Sequence, residues 1–187
     1  MRKLTTAAGA ALLILVQGAC ADRQGPTSPV SPRAEASFST ASSSDRVVSI
    51  LDACDGPTFT AAHIDCTRTS GVTLTQFINE LTALGTVGAW HFAPSNVNAF
   101  VGQTLDVVNR GGETHTFTAV EHFGGGIVPM LNQLSGNPVP AKECLALGGG
   151  DFIPSGATHH ASIDEEGTEL YQCCIHPWMR VVVKAKG

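Results

Sequence analysis

The clearest helical pattern lies between Gly71 and Gly85, where Leu74, Phe77, Ile78, Leu81 and Leu84 recur at three- and four-residue spacing. Thr73 with Gln76 three residues later is a capping-box signature, and Gly85 supplies a stop. From Ala89 onward the period shortens to brief apolar runs broken by Gly, Pro and Asn. These runs predict strands over 89–92, 97–101, 104–109, 115–120, 157–163, 170–174 and 181–184. Short strands at this spacing imply an all-β sandwich or barrel, with the helix appended on its N-terminal side. Between them, residues 121–154 carry two Gly triplets (124–126 and 148–150) and several prolines. Neither triplet has phosphate-loop spacing or a strand-to-helix setting, so the stretch reads as a loop excursion tied down by Cys144.

The first 46 residues follow a different logic. Arg2 and Lys3 precede the apolar run Ala7–Val16, about half the roughly 20 residues a spanning helix needs. Residues 1–20 therefore read as a secretory signal peptide. Val16-Gln-Gly-Ala-Cys20 resembles the lipid-attachment pattern of bacterial lipoproteins, which makes Cys20 a lipidation site and the membrane a partner; cleavage after Ala21 is the alternative. Residues 21–46, rich in Pro, Ser, Ala and Thr, read as a disordered linker, because they carry too little apolar surface to offset ordering. Residues 47–88 then form a helical N-terminal extension packed on the main domain, 89–187. The expected location is the bacterial periplasm or outer cell envelope.

Charge and cysteine count narrow the chemistry. Eleven Lys and Arg stand against 16 Asp and Glu, a net charge of −5 without basic clusters, so nucleic acid is not an expected partner. An exported chain meets oxidising conditions, and its cysteines read as disulfides. Of the six, Cys20 is lipidated or cut away, which leaves an odd five: Cys54, Cys66, Cys144, Cys173 and Cys174. Cys54 and Cys66 are natural partners. Cys144 needs one of the adjacent pair, and the other thiol stays unpaired, pairs with another chain or holds a metal.

The last strand region reads Tyr171-Gln-Cys-Cys-Ile-His-Pro-Trp-Met-Arg180-Val-Val-Val-Lys184, and within it Cys173, His176 and Met179 follow Cys-x-x-His-x-x-Met. A thiolate, an imidazole and a thioether on one short loop are soft-to-borderline donors that suit copper in both common oxidation states. One further His is needed, and His115 is the best donor. Strand alternation places it on a face with Phe117 and Ala119, at the end of a Gly-rich turn.

Here the sequence resembles the cupredoxins, the small blue copper proteins, and among them the amicyanin/plastocyanin group. The resemblance rests on the Cys-x-x-His-Pro-x-Met-Arg run with Val181-Val-Val183, and on Asn109-Arg110 followed by His115. Weaker support comes from Trp90-His-Phe-Ala-Pro94, Val101-Gly-Gln-Thr104 and Phe152-Ile-Pro-Ser-Gly156. It spans roughly residues 89–187 and implies a Greek-key β-sandwich holding one type 1 copper on His115, Cys173, His176 and Met179. Cys174, facing away from Cys173, is then free to bond Cys144. Two departures stand out: Thr116 follows the first ligand His where the family often has Asn, and Cys174 follows the ligand Cys.

The resemblance implies an electron carrier, with His176 as the edge that redox partner proteins approach. Four protein ligands leave no open position for substrate, so an enzyme is not expected. A copper-delivery protein and a metal-free interaction module are the competing readings. His63, His91 and His122 read as ordinary surface or core residues, and His159-His160 as a strand pair without a second metal motif. Asp164-Glu-Glu166 reads as a solvated turn, with a docking patch for a basic redox partner as its functional alternative.

Overall fold

The computed structural model describes residues 46–187. The signal peptide and the lipidation at Cys20 that the sequence leads one to expect, and all but the last residue of the expected linker, lie outside the described residues. Alternation of buried and open positions organises the strands into two four-stranded sheets. Val48 and Ile50 point inward from β1 (Val47–Leu51), while Leu105, Val107 and Asn109 do so from β4 (Thr104–Asn109). With β2 (His91–Ala93) and β8 (Thr158–Ser162) they form the sheet β2-β1-β4-β8. The second sheet, β3-β10-β9-β6, combines β3 (Asn96–Phe100), β10 (Arg180–Lys186), β9 (Gly167–Gln172) and β6 (Thr118–Val120). Val97 and Ala99 from β3, and Val181, Val183 and Ala185 from β10, join Val48, Ile50, Leu105 and Val107 in one core. That shared core makes the fold a β-sandwich. Pairing is antiparallel except for β1 with β4 and β3 with β10.

The N-terminal extension departs from the helical unit expected over 47–88. Val47–Leu51 is a strand inserted between β2 and β4, so the sandwich begins at the first described strand and not near residue 89. Five residues, Val47–Leu51, give too short an alternation to mark a strand on their own. The helical part is α1 (Gly56–Thr60) and α2 (Leu74–Leu84). Helix α2 begins with the expected capping box at Thr73 and Gln76 and ends at Gly85 with φ 71°, a left-handed conformation that Gly adopts without a Cβ clash. It buries Phe77 and Leu81, one turn apart, whereas Leu84 is 68% exposed at the helix end. Phe77 enters an aromatic cluster with Phe59 of α1 and Trp90, at ring separations of 5.8 and 4.7 Å.

The strand expected over 115–120 is broken in two. β5 (His115–Thr116) pairs with β7 (Phe152–Ile153), whereas β6 pairs with β9. Because the chain changes partner at Phe117, alternation is lost, and Val120 is buried where Ala119 had been expected. The loop excursion contains a short helix, α3 (Pro129–Leu134). Its Gly triplet 124–126 serves packing: a Cβ on Gly126 would overlap the Cys174 carbonyl.

Candidate metal centre

Two disulfides form, Cys54–Cys66 and Cys144–Cys174. Among the described residues Cys173 is the cysteine left free, and it is fully buried. The adjacent cysteines thus divide: Cys174 joins a small cluster with Val120, Ala141 and Cys144, while Cys173 belongs to the main core.

The Cys173–Met179 loop closes on itself. The Cys173 N–H donates to the Met179 carbonyl (3.0 Å) and the Met179 N–H to the His176 carbonyl (2.9 Å). This fold-back brings His176 under Cys173, with its Nδ1 3.8 Å from Sγ. From the other side, β5 presents His115 with Nδ1 3.7 Å from the same sulfur. The two imidazole rings lie 4.9 Å apart, and all three side chains are buried. Met179 is 1% exposed and lies in the same core.

Thr116 ties the two ligand-bearing segments together. Its hydroxyl accepts from the Cys174 N–H at 2.8 Å, joining the strand that carries His115 to the loop that carries Cys173. Its own N–H points at Cys173 Sγ (3.5 Å), as does that of His176 (3.4 Å). A sulfur that accepts two N–H groups and faces two imidazoles is in surroundings suited to a thiolate. Burial alone would raise the Cys173 pKa, but hydrogen bonding and charge from His115 and His176 hold it well below an ordinary thiol. Burial likewise opposes charge on His115, yet Asp52 and Cys173 raise its pKa to about 9.

Two carboxylates that the sequence did not flag stand behind the imidazoles. Asp52, just after β1, lies 2.9 Å from His115 Nε2. Its oxygens also accept from the N–H groups of Cys54 (3.3 Å), Gly112 (2.8 Å) and Glu113 (3.1 Å). The turn is built around this carboxylate, since a Cβ on Gly111 would overlap it. Asn109 braces the same turn, donating to the carbonyls of Glu113 and Ile153 (both 2.8 Å). Glu113 accepts from Trp90 Nε1 (2.5 Å) and stands 3.7 Å from His176 Nε2. Burial raises its pKa, against the pull of His176 and Trp90. The one signal in the sequence was Gly111-Gly112, a pair that permits close approach without saying what approaches.

His176 is not the exposed edge that had been expected. It is 3% exposed, covered by Trp178 of its own loop at 5.4 Å and by Phe77 of the helical extension at 6.4 Å between ring centres. An apolar groove lined in part by Ile64, Phe77, Met130 and Ile175 reaches down to His176 and Glu113. The remaining histidines stay apart from this cluster: His63, His91 and His122 are exposed, and His160 pairs with Asp106 at 2.9 Å. His159 is partly buried, and Asp164, Glu165 and Glu166 are exposed in the turn before β9. A second grouping, Asp52, Cys54 and Glu113, offers no thiolate because Cys54 is in a disulfide.

Solved structures to which the chain is similar include a purple cupredoxin, an amicyanin and a plastocyanin. A purple cupredoxin from Nitrosopumilus maritimus is 16% identical, covering 75% of this chain and 98% of its own, with a TM-score of 0.43. An amicyanin variant in its Cu(I) form is 18% identical over 51% of this chain and 73% of its own (TM-score 0.36). Oxidised plastocyanin from Dryopteris crassirhizoma is 15% identical over 52% and 89%, respectively (TM-score 0.35). No family model matches the chain, and no curated protein does.

The donor set itself tests the fit to a metal. At ordinary metal–nitrogen and metal–sulfur lengths of roughly 2.0–2.3 Å, trigonal donors sit about 3.6–3.8 Å apart. The two sulfur–nitrogen separations here, 3.7 and 3.8 Å, fall in that range. Asp52 engages Nε2 of His115 and leaves Nδ1 to face the sulfur, the outer hydrogen bond typical of metal-bound imidazoles. The residues fit a soft-to-borderline ion.

Proposed function

We propose that the chain is an exported copper protein that carries single electrons between redox partners of the cell envelope. The observation that carries this reading is the free, buried Cys173 thiol faced by Nδ1 of both His115 and His176. Cys173 as thiolate, with His115 and His176, would hold the ion, and Met179 on the same loop would offer a weak thioether donor. Copper bound there supplies a one-electron couple.

What this chain's own residues contribute is rigidity and dryness. The Thr116–Cys174 bond, the Cys144–Cys174 disulfide and the Asp52–His115 contact each fix one side of the donor set. Ligands held in place need little rearrangement between oxidation states, and burial keeps solvent from contributing its own. Partner proteins approach along the groove where the exposed side chains Ile64 and Met130 flank the covered His176 ring. Export is supported by the leader-like N-terminus and by two disulfides, which persist in oxidising compartments.

Repeated reduction and reoxidation of the copper-loaded protein tests the reading. The colour is expected to bleach and return over many cycles with one copper retained per chain. Ready loss of the reduced ion to an apo-acceptor would instead mark a delivery protein.

A further inference from the structure

The feature of the centre that the electron-carrier reading leaves unused is the charge on Asp52. This carboxylate is buried, with its side chain shut off from solvent. Four N–H donors converge on its two oxygens: Cys54 and Gly112 on Oδ1, Glu113 and the His115 ring on Oδ2. A carboxylate that accepts several N–H bonds is stabilised in its charged form. Asp52 is therefore a fixed negative charge one imidazole away from the donor set. Glu113 is held more loosely, its Oε2 accepting from Trp90 and standing 3.7 Å from His176 Nε2, beyond hydrogen-bond length.

We propose that Asp52 is a positioning residue that biases the centre toward the divalent ion. The proposal rests on the copper reading. With Cys173 as thiolate and Asp52 as carboxylate, a divalent ion balances both charges. After one-electron reduction, a monovalent ion leaves one negative charge uncompensated in a buried site, which is costly at low dielectric. Without the Asp52 charge, reduction leaves one fewer negative charge uncompensated, and the bias toward the divalent ion weakens. The N-terminal strand thus belongs to the centre: β1 delivers the residue that sets which oxidation state is preferred.

The test compares native protein with Asp52→Asn, a near-isosteric change that removes the charge. Cu(I) and Cu(II) affinities are measured by competition with chelators selective for each, and the potential by spectroelectrochemistry. The Cu(II):Cu(I) affinity ratio is expected to fall at least about tenfold, a rise in potential of about 59 mV for one electron. An unchanged ratio, or equal loss of both affinities, overturns the proposal and leaves Asp52 a purely structural residue. Should Asp52→Asn fail to fold, NMR of the native Cu(I) protein decides. A slowly exchanging, downfield His115 Nε2 proton supports the proposal, and a freely exchanging one overturns it. A native protein that takes up no copper refutes the underlying reading instead.

Discussion

Cys173→Ser is expected to abolish the intense thiolate-to-copper absorption on Cu(II) addition, while Cys174→Ser leaves that absorption in place. The two sulfurs are neighbours in sequence but occupy different environments. Cys173 faces His115 and His176, whereas Cys174 is bridged to Cys144. A hydroxyl at 173 is a hard donor that cannot supply the covalent sulfur bond responsible for the colour. It is also nearly isosteric, so Cys173→Ser is expected to keep the native circular dichroism and a cooperative melt. Cys174→Ser removes the clamp that closes a 30-residue separation and lowers stability by roughly 2–4 kcal/mol. Optical titration with Cu(II) and thermal melts of both variants check the pair. Colour lost in Cys174→Ser and retained in Cys173→Ser would reverse the assignment.

Phe77→Ala is expected to have the largest effect on stability and to open the centre at the same time. Phe77 is 3% exposed and touches two regions: Phe59 and Trp90 in the core, and His176 and Trp178 over the donor set. Truncating a buried Phe removes apolar burial and leaves a cavity, at a cost of about 3–5 kcal/mol. The cavity lies beside the groove that reaches His176, so water gains access to that ring. A lowered denaturation midpoint should accompany faster exchange of the His176 ring proton in the Cu(I) protein. Destabilisation without any change at His176 would mean that the helical extension is only a structural support.

Legibility in the sequence was uneven, for physical reasons. Helix α2 was readable because its determinants are local: a capping box at Thr73, apolar residues at helical spacing and Gly85. Strand β4 was readable over its whole length, 104–109, because it alternates without interruption. The region 115–120 was not, since the switch of β5 and β6 between partners is decided by tertiary pairing and leaves no mark on periodicity. Cys173, His176 and Met179 stand out by donor type and spacing, and His115 by strand alternation beside the Gly-rich turn; His115, Cys173 and His176 lie together in the structure. Asp52 and Glu113 leave no mark in the sequence, because an isolated carboxylate reads as a surface residue until folding buries it. The covering of His176 leaves none for the same reason: it depends on where α2 packs, 99 residues away in the case of Phe77 and His176.

Anomalous diffraction at the copper edge from crystals of the Cu-loaded protein tests the central claim most directly. One strong peak is predicted, enclosed by Cys173 Sγ, His115 Nδ1 and His176 Nδ1. No peak there, or a peak confined to surface imidazoles such as His160, would contradict it.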